Sequence, residues 1–172
     1  VCCISANDVL EARKGGAIRV ELCTAISSGG VTPSFGLVRN AVQAAGGELL
    51  VNVLVRPREG GFCYNESEIK TMIDDIRACS DAGADGVVIG ALTPDGDIDM
   101  EACRRMMDAA SGMNVTFHRA FDVCREPEKA LEQIIELGCD HLLTSGQRPS
   151  ALEGSALIAD LVRQPAGRIT IM

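Results

Sequence analysis

The sequence predicts an α/β protein of the (β/α)8 barrel class, incomplete and ending at its seventh strand. Three observations point there. Helix-like segments close on glycine and pass straight into a strand at Gly16-Ala17-Ile18-Arg19-Val20, Gly83-Ala84-Asp85-Gly86-Val87-Val88 and Gly138-Cys139-Asp140-His141-Leu142, the joint of a βαβ unit. Seven strand-length apolar segments alternate with amphipathic helical ones in strict β-then-α order. Polar side chains also repeat on one strand face: Arg19, Glu21 and Cys23; Asn52, Leu54 and Arg56; Thr116 and His118. Buried strands of an open doubly wound sheet read as nearly continuous apolar runs, so polar groups recurring on one face favour a barrel whose upper layer lines a polar pocket. The first βα turn carries no G-x-G-x-x-G, which also counts against the open sheet.

The strands are expected near Val1–Ile4, Ile18–Cys23, Leu49–Val55, Gly86–Ala91, Asn114–His118, His141–Thr144 and Arg168–Met172. Between them, Asn65 with Glu68 and Ser150 with Glu153 have capping-box spacing, and Pro127 suits a first helical position. Ile69, Met72, Ile73 and Ile76 form one helix stripe, and Ala130, Leu131, Ile134 and Leu137 another. Met106 and Met107 read as helix core. A complete barrel takes about 250 residues, whereas this chain has 172, opens inside a strand and closes inside one. Residues 1–172 are therefore expected to be a single domain truncated at both ends, lacking strand eight and the loops after strands seven and eight.

Composition narrows the function classes. Hydrophobic residues make up 47% and charged residues 23% of the chain, an ordinary globular balance. The apolar runs fall far short of the roughly 20 residues of a membrane helix, and no export signal is visible. A net charge of −8 has the wrong sign for a nucleic-acid or acidic-membrane partner. The eight cysteines are scattered, with no C-x-x-C and no zinc-finger spacing, as suits reduced, mostly buried thiols in the cytoplasm.

The stretch richest in chemistry is Val115-Thr116-Phe117-His118-Arg119-Ala120-Phe121-Asp122. It begins as a strand and ends in an imidazole, a guanidinium and a carboxylate, the position that reactive groups occupy in parallel α/β folds. His118 could be a general base, a metal ligand or a hydrogen-bonded core residue. Arg56-Pro57-Arg58, followed by Gly60-Gly61, forms either an anion cradle or a structural turn. Glu21, Arg119, Asp122, Thr144 and Ser145 join the set of strand-end polar groups. His141, at the entry of its strand, reads as structural. Cys2 and Cys23, on neighbouring strands, are either two small buried hydrophobes or a thiolate pair suited to Cu(I).

Val1-Cys2-Cys3, Gly16 through Cys23, Gly29-Gly30-Val31-Thr32-Pro33-Ser34, Arg56-Pro57-Arg58, Val115 through Asp122 and Leu143-Thr144-Ser145-Gly146 together resemble the copper homeostasis protein CutC family, in the family's order along the whole chain. The resemblance implies a cytoplasmic (β/α)8 barrel, a homo-oligomer when full length, binding copper, with Cys2 and Cys23 as Cu(I) ligands. It also implies that a Glu preceding the first strand cysteine, a glycine-rich loop after strand seven and a last strand lie outside this sequence. The alternative function is a barrel enzyme acting on a small phosphorylated or carboxylated metabolite. There Glu21, His118 and Asp122 would be catalytic, and Arg56, Arg58, Arg119, Thr144 and Ser145 would hold the small anionic ligand. A third reading is an oligomeric scaffold with neither activity.

Overall fold

A computed structural model describes residues 1–164 and 167–172. All seven expected strands form, each shorter than its apolar segment: β1 (Cys2–Cys3), β2 (Arg19–Leu22), β3 (Leu50–Leu54), β4 (Gly86–Ile89), β5 (Asn114–Phe117), β6 (His141–Leu142) and β7 (Thr170–Ile171). The helices are α1 (Ala6–Lys14), α2 (Phe35–Ala45), α3 (Glu66–Asp81), α4 (Met100–Ala109), α5 (Pro127–Leu137) and α6 (Ser155–Arg163). The sheet order follows the chain from β1 to β7. A doubly wound sheet reverses its strand order at a switch point; here no reversal occurs, and the fold is an incomplete TIM-like (β/α) array.

Contacts divide the chain into two compact units. The first comprises Val1–Gly61, Glu66–Val88 and Ala109–Asn114. In it β1, β2, β3 and β4 pair in parallel, in the registers Cys2↔Glu21, Glu21↔Asn52 and Asn52↔Gly86. Its helices begin where hydroxyls can receive the free backbone N–H groups. Ser5 Oγ accepts from Asp8 N at 3.1 Å while Asp8 Oδ2 accepts from Ile4 N at 2.9 Å. Ser34 Oγ accepts from Leu37 N at 3.2 Å. The stripe of α3 is buried as expected, through Ile69, Met72, Ile73 and Ile76. Val20, Leu22, Val51 and Val53 face the core from the strands, each fully buried.

The second unit comprises Phe62–Asn65, Ile89–Asp108 and Val115–Met172, with β5, β6 and β7 parallel and Thr116↔His141↔Thr170 in register. Phe117, Phe121, Ile89, Met106, Leu131, Ile134, Leu142 and Leu161 are its largest fully buried side chains. Pro127 opens α5, as expected. Ser150 and Glu153 make one half of a capping box: Ser150 Oγ accepts from Glu153 N at 3.3 Å, while Glu153 Oε1 accepts from the Ser150 hydroxyl at 2.7 Å. They cap a turn that precedes α6 rather than α6 itself, because Gly154 follows and α6 starts at Ser155.

The glycine joints do more than end helices. Gly83 and Gly138 sit at φ +84° and +86°, a region closed to most side chains, and each is followed two residues later by aspartate. Asp85 Oδ2 accepts from Val51 N, and Asp140 Oδ2 accepts from Val115 N, both at 2.8 Å. In both units this Gly-x-Asp segment satisfies the first free N–H of the preceding strand and so sets the register above it.

Candidate metal and ligand site

Parallel pairing puts register partners on one sheet face, and residues two apart on a strand share it. Cys2 opposes Glu21, and Cys23 lies two residues beyond Glu21, so the two thiols are diagonal neighbours on one face. Their Sγ atoms are 3.6 Å apart. Cys3, one residue on, opposes Leu22 and is buried on the other face. Of the pair, Cys2 is exposed and Cys23 buried.

The cover over Cys23 is the loop between β2 and α2. Thr24 and Val31 close it with two backbone hydrogen bonds of 3.1 and 3.0 Å. Gly30, at φ +87°, packs against the buried group so closely that a Cβ there would stand 2.7 Å from Leu54 Cδ2 and 3.5 Å from Cys23 Cβ. Arg56 ties this loop down: its Nη1 donates to Ser28 O at 3.2 Å and Gly30 O at 2.9 Å, and its Nη2 to Gly60 O at 2.6 Å. Arg58 pairs with Glu68 and donates to Gly61 O at 2.9 Å. Burial pushes the Cys23 thiol up to about 12, reinforced by its hydrogen bond with Cys2 and by the charges of Cys2, Glu21 and Cys3. Burial also raises the Glu21 carboxyl against the pull of nearby cationic charge.

Burial likewise holds Cys79, Cys103 and Cys139 at about 12 and Cys124 at about 11, so that, like Cys23, they are protonated at neutral pH; what distinguishes Cys23 is the Cys2 thiol facing it. All eight cysteines are free. Among the described residues, no group of three or more His, Cys, Asp or Glu side chains is placed to hold a metal ion. The Cys2–Cys23 pair therefore suits a soft ion content with two sulfurs, and does not suit the four-ligand cage of structural zinc.

In the second unit, His118 caps a short 3-10 turn (Arg119–Val123) with Nδ1 accepting from Ala120 N at 3.2 Å. An acceptor Nδ1 places the proton of the neutral ring on Nε2. The imidazole is buried, 5.0 Å between centroids from Phe62. Room for it comes from Gly90, where a Cβ would stand 2.6 Å from the ring. Asp122 accepts from Thr144 Oγ1 at 2.5 Å, Arg119 Nε at 2.7 Å, Ser145 Oγ at 3.0 Å, Ser145 N at 3.1 Å and Gln147 N at 3.2 Å. Arg119 also reaches Ser145 Oγ at 2.6 Å. Although burial opposes it, these donors together hold the Asp122 carboxyl below its usual range. His141 opens β6, as expected of a strand-entry residue.

Of the side chains picked out from the sequence, Cys2, Glu21 and Cys23 share one face in the first unit, Arg56 anchors the loop over Cys23 and Arg58 turns to Glu68; in the second unit Arg119, Asp122, Thr144 and Ser145 are joined by hydrogen bonds, and His118 caps the turn that carries Arg119 and Asp122. Sequence reasoning missed Gln147, at φ +57°, whose Nε2 donates to Cys124 O at 2.8 Å. It also missed the register-setting role of Asp85 and Asp140, although the repeated Gly-x-Asp was legible.

The CutC family model matches residues 1–172. The chain belongs to the CutC family. Family members of the same name include proteins from Parabacteroides distasonis, 52% identical over 172 residues, and Pasteurella multocida, 49% identical; each alignment covers 100% of this chain and 70% of the relative. A solved CutC structure from Streptococcus agalactiae, described as a copper homeostasis protein, superposes with a TM-score of 0.94 at 34% identity, over 99% of this chain and 84% of that one. No helix among the described residues is long and apolar enough to cross a membrane.

Proposed function

We propose that this CutC-family chain binds Cu(I) as cargo in copper homeostasis, through Cys2 and Cys23. The observation that carries the reading is the 3.6 Å separation of the two sulfurs. With metal–sulfur bonds of about 2.3 Å, as in zinc thiolates, sulfurs at that spacing subtend roughly 100° at a shared ion. Such a bent pair leaves one side of the ion open for delivery or transfer, on the side of the exposed Cys2. Copper is the cargo this donor set favours because thiolates select soft ions. A cytoplasmic location and a homo-oligomeric state belong to the same reading.

Metal binding must displace the Cys23 proton, since the thiolate is the ligand. Cys23 lies at about 12 and is faced by Cys2, Glu21 and Cys3, so it is protonated at neutral pH. The apparent Cu(I) affinity is expected to rise at least tenfold per pH unit from pH 6 to 8, the proton released from Cys23 accounting for one factor of ten. Anaerobic Cu(I) competition titrations of the full-length protein and of a Cys2→Ser, Cys23→Ser double variant test this. An affinity that is flat with pH and unchanged in the double variant removes the site.

A second reading, a barrel enzyme acting on a small phosphorylated or carboxylated metabolite, is favoured by His118. Its buried ring, oriented by Ala120 N, is set up as an acid/base that carries its proton on Nε2. Asp122 would be its accompanying carboxylate, with Thr144 and Ser145 near the substrate. The anion clamp of that reading is weaker. Arg56 is engaged by three carbonyls, Arg58 by Glu68, and Arg119 by Asp122 and Ser145, which puts the copper reading first.

A further inference from the structure

The register row that begins with Cys2 continues through Glu21 and Asn52 to Gly86, so all four residues present the same sheet face. Asn52 is 2% exposed, yet its Oδ1 accepts no hydrogen bond. A buried amide oxygen without a donor is costly, and native folds rarely retain one that has no use. The amide itself fits there because residue 86 is glycine: a Cβ at that position would stand 2.6 Å from Asn52 Oδ1. The neighbour in register is the Glu21 carboxylate, a second acceptor. Two adjacent acceptors on one face, one of them buried and unsatisfied, ask for a ligand rich in hydrogen-bond donors. The apolar residues next along this face, Leu54 and Val88, are buried with Cys23 and offer a wall for a short carbon chain.

We propose that Asn52 and Glu21 form a recognition site for the ammonium group of a small primary amine, a site distinct from the sulfur pair. Asn52 Oδ1 accepts one N–H of the ammonium, and the Glu21 carboxylate accepts another and balances its charge. Water is a poorer occupant than an ammonium because it brings two donors and no charge. Copper binding is not required for this site, and the two can fail independently.

The test uses the full-length protein and its Asn52→Leu variant, with methylammonium, ethanolamine and putrescine as probes and ethylene glycol and glycolate as controls. The expected result is saturable movement of the Asn52 side-chain amide and Gly86 resonances with the amines alone, at least tenfold weaker in Glu21→Gln. The Gly86 response is expected to vanish in Asn52→Leu. The Cys2→Ser, Cys23→Ser variant is expected to bind the amines as the parent does. Thermal unfolding supplies a second reading. If Asn52 is kept for a ligand, Asn52→Leu unfolds at a higher temperature than the parent, because an unpaired buried amide has been removed. No saturable shift with any amine, an equal response to the controls, or a lower unfolding temperature for Asn52→Leu overturns the proposal.

Discussion

Asp122→Ala is expected to lower the stability of the protein by about 3 kcal/mol or more at neutral pH. The carboxylate side chain is 7% exposed and receives donors from Thr144, Arg119, Ser145 and Gln147. Truncation strands these donors in a place water reaches poorly, so the loss exceeds the net value of any one hydrogen bond. The pH dependence has a definite sign. A carboxyl held below its ordinary value in the fold contributes stability above the unfolded pKa, about 3.9, and loses that contribution as pH falls through the folded value. The deficit of Asp122→Ala relative to the parent is therefore constant from pH 5 to 8 and shrinks in acid. Urea unfolding at several pH values measures it. A deficit below 1 kcal/mol at pH 7 would mean that the loop after β6 is held by other contacts.

Arg56→Met is expected to cost about 2–4 kcal/mol and, more tellingly, to uncover Cys23. The buried guanidinium is the common donor to Ser28 O, Gly30 O and Gly60 O, and a planar fork reaches several carbonyls at once where a thioether reaches none. Without it, the Gly29–Gly30 segment loses its anchor above the thiol. Reaction of Cys23 with a thiol-labelling reagent, followed site by site by mass spectrometry, should accelerate by at least tenfold while Cys103, buried elsewhere, keeps its parent rate. Equal acceleration at both cysteines would indicate global loosening; no acceleration at Cys23 would show that Arg56 does not hold the cover.

These expectations show which features could be read from residues alone. The seven strands and their order were legible because apolar runs, glycine joints and helix stripes repeat with the period of the structure. Strand lengths were not: β1, β6 and β7 each span two residues, since ladder pairing depends on the neighbouring strand as well as on local apolarity. That Cys23 shares a face with Glu21 followed from alternation along β2, yet that Cys2 faces it required the register Cys2↔Glu21, which no local pattern encodes. Arg56 stood out as one of two arginines around a proline. That its partners are backbone carbonyls could not be foreseen, because two of the three come from a loop 26 to 28 residues earlier. Asn52 was placed on the polar face of strand three, but an unsatisfied oxygen is visible only once its surroundings are known. Asp122 looked like one member of a reactive trio, and the geometry gives it instead donors from Arg119, Thr144, Ser145 and Gln147.

The most direct measurement of the copper reading is X-ray absorption of the full-length protein loaded anaerobically with one equivalent of Cu(I). A nearest shell containing two sulfur scatterers, which disappears in the Cys2→Ser, Cys23→Ser variant, is the predicted result. A shell of nitrogen or oxygen alone, or a sulfur shell that survives both substitutions, would contradict it.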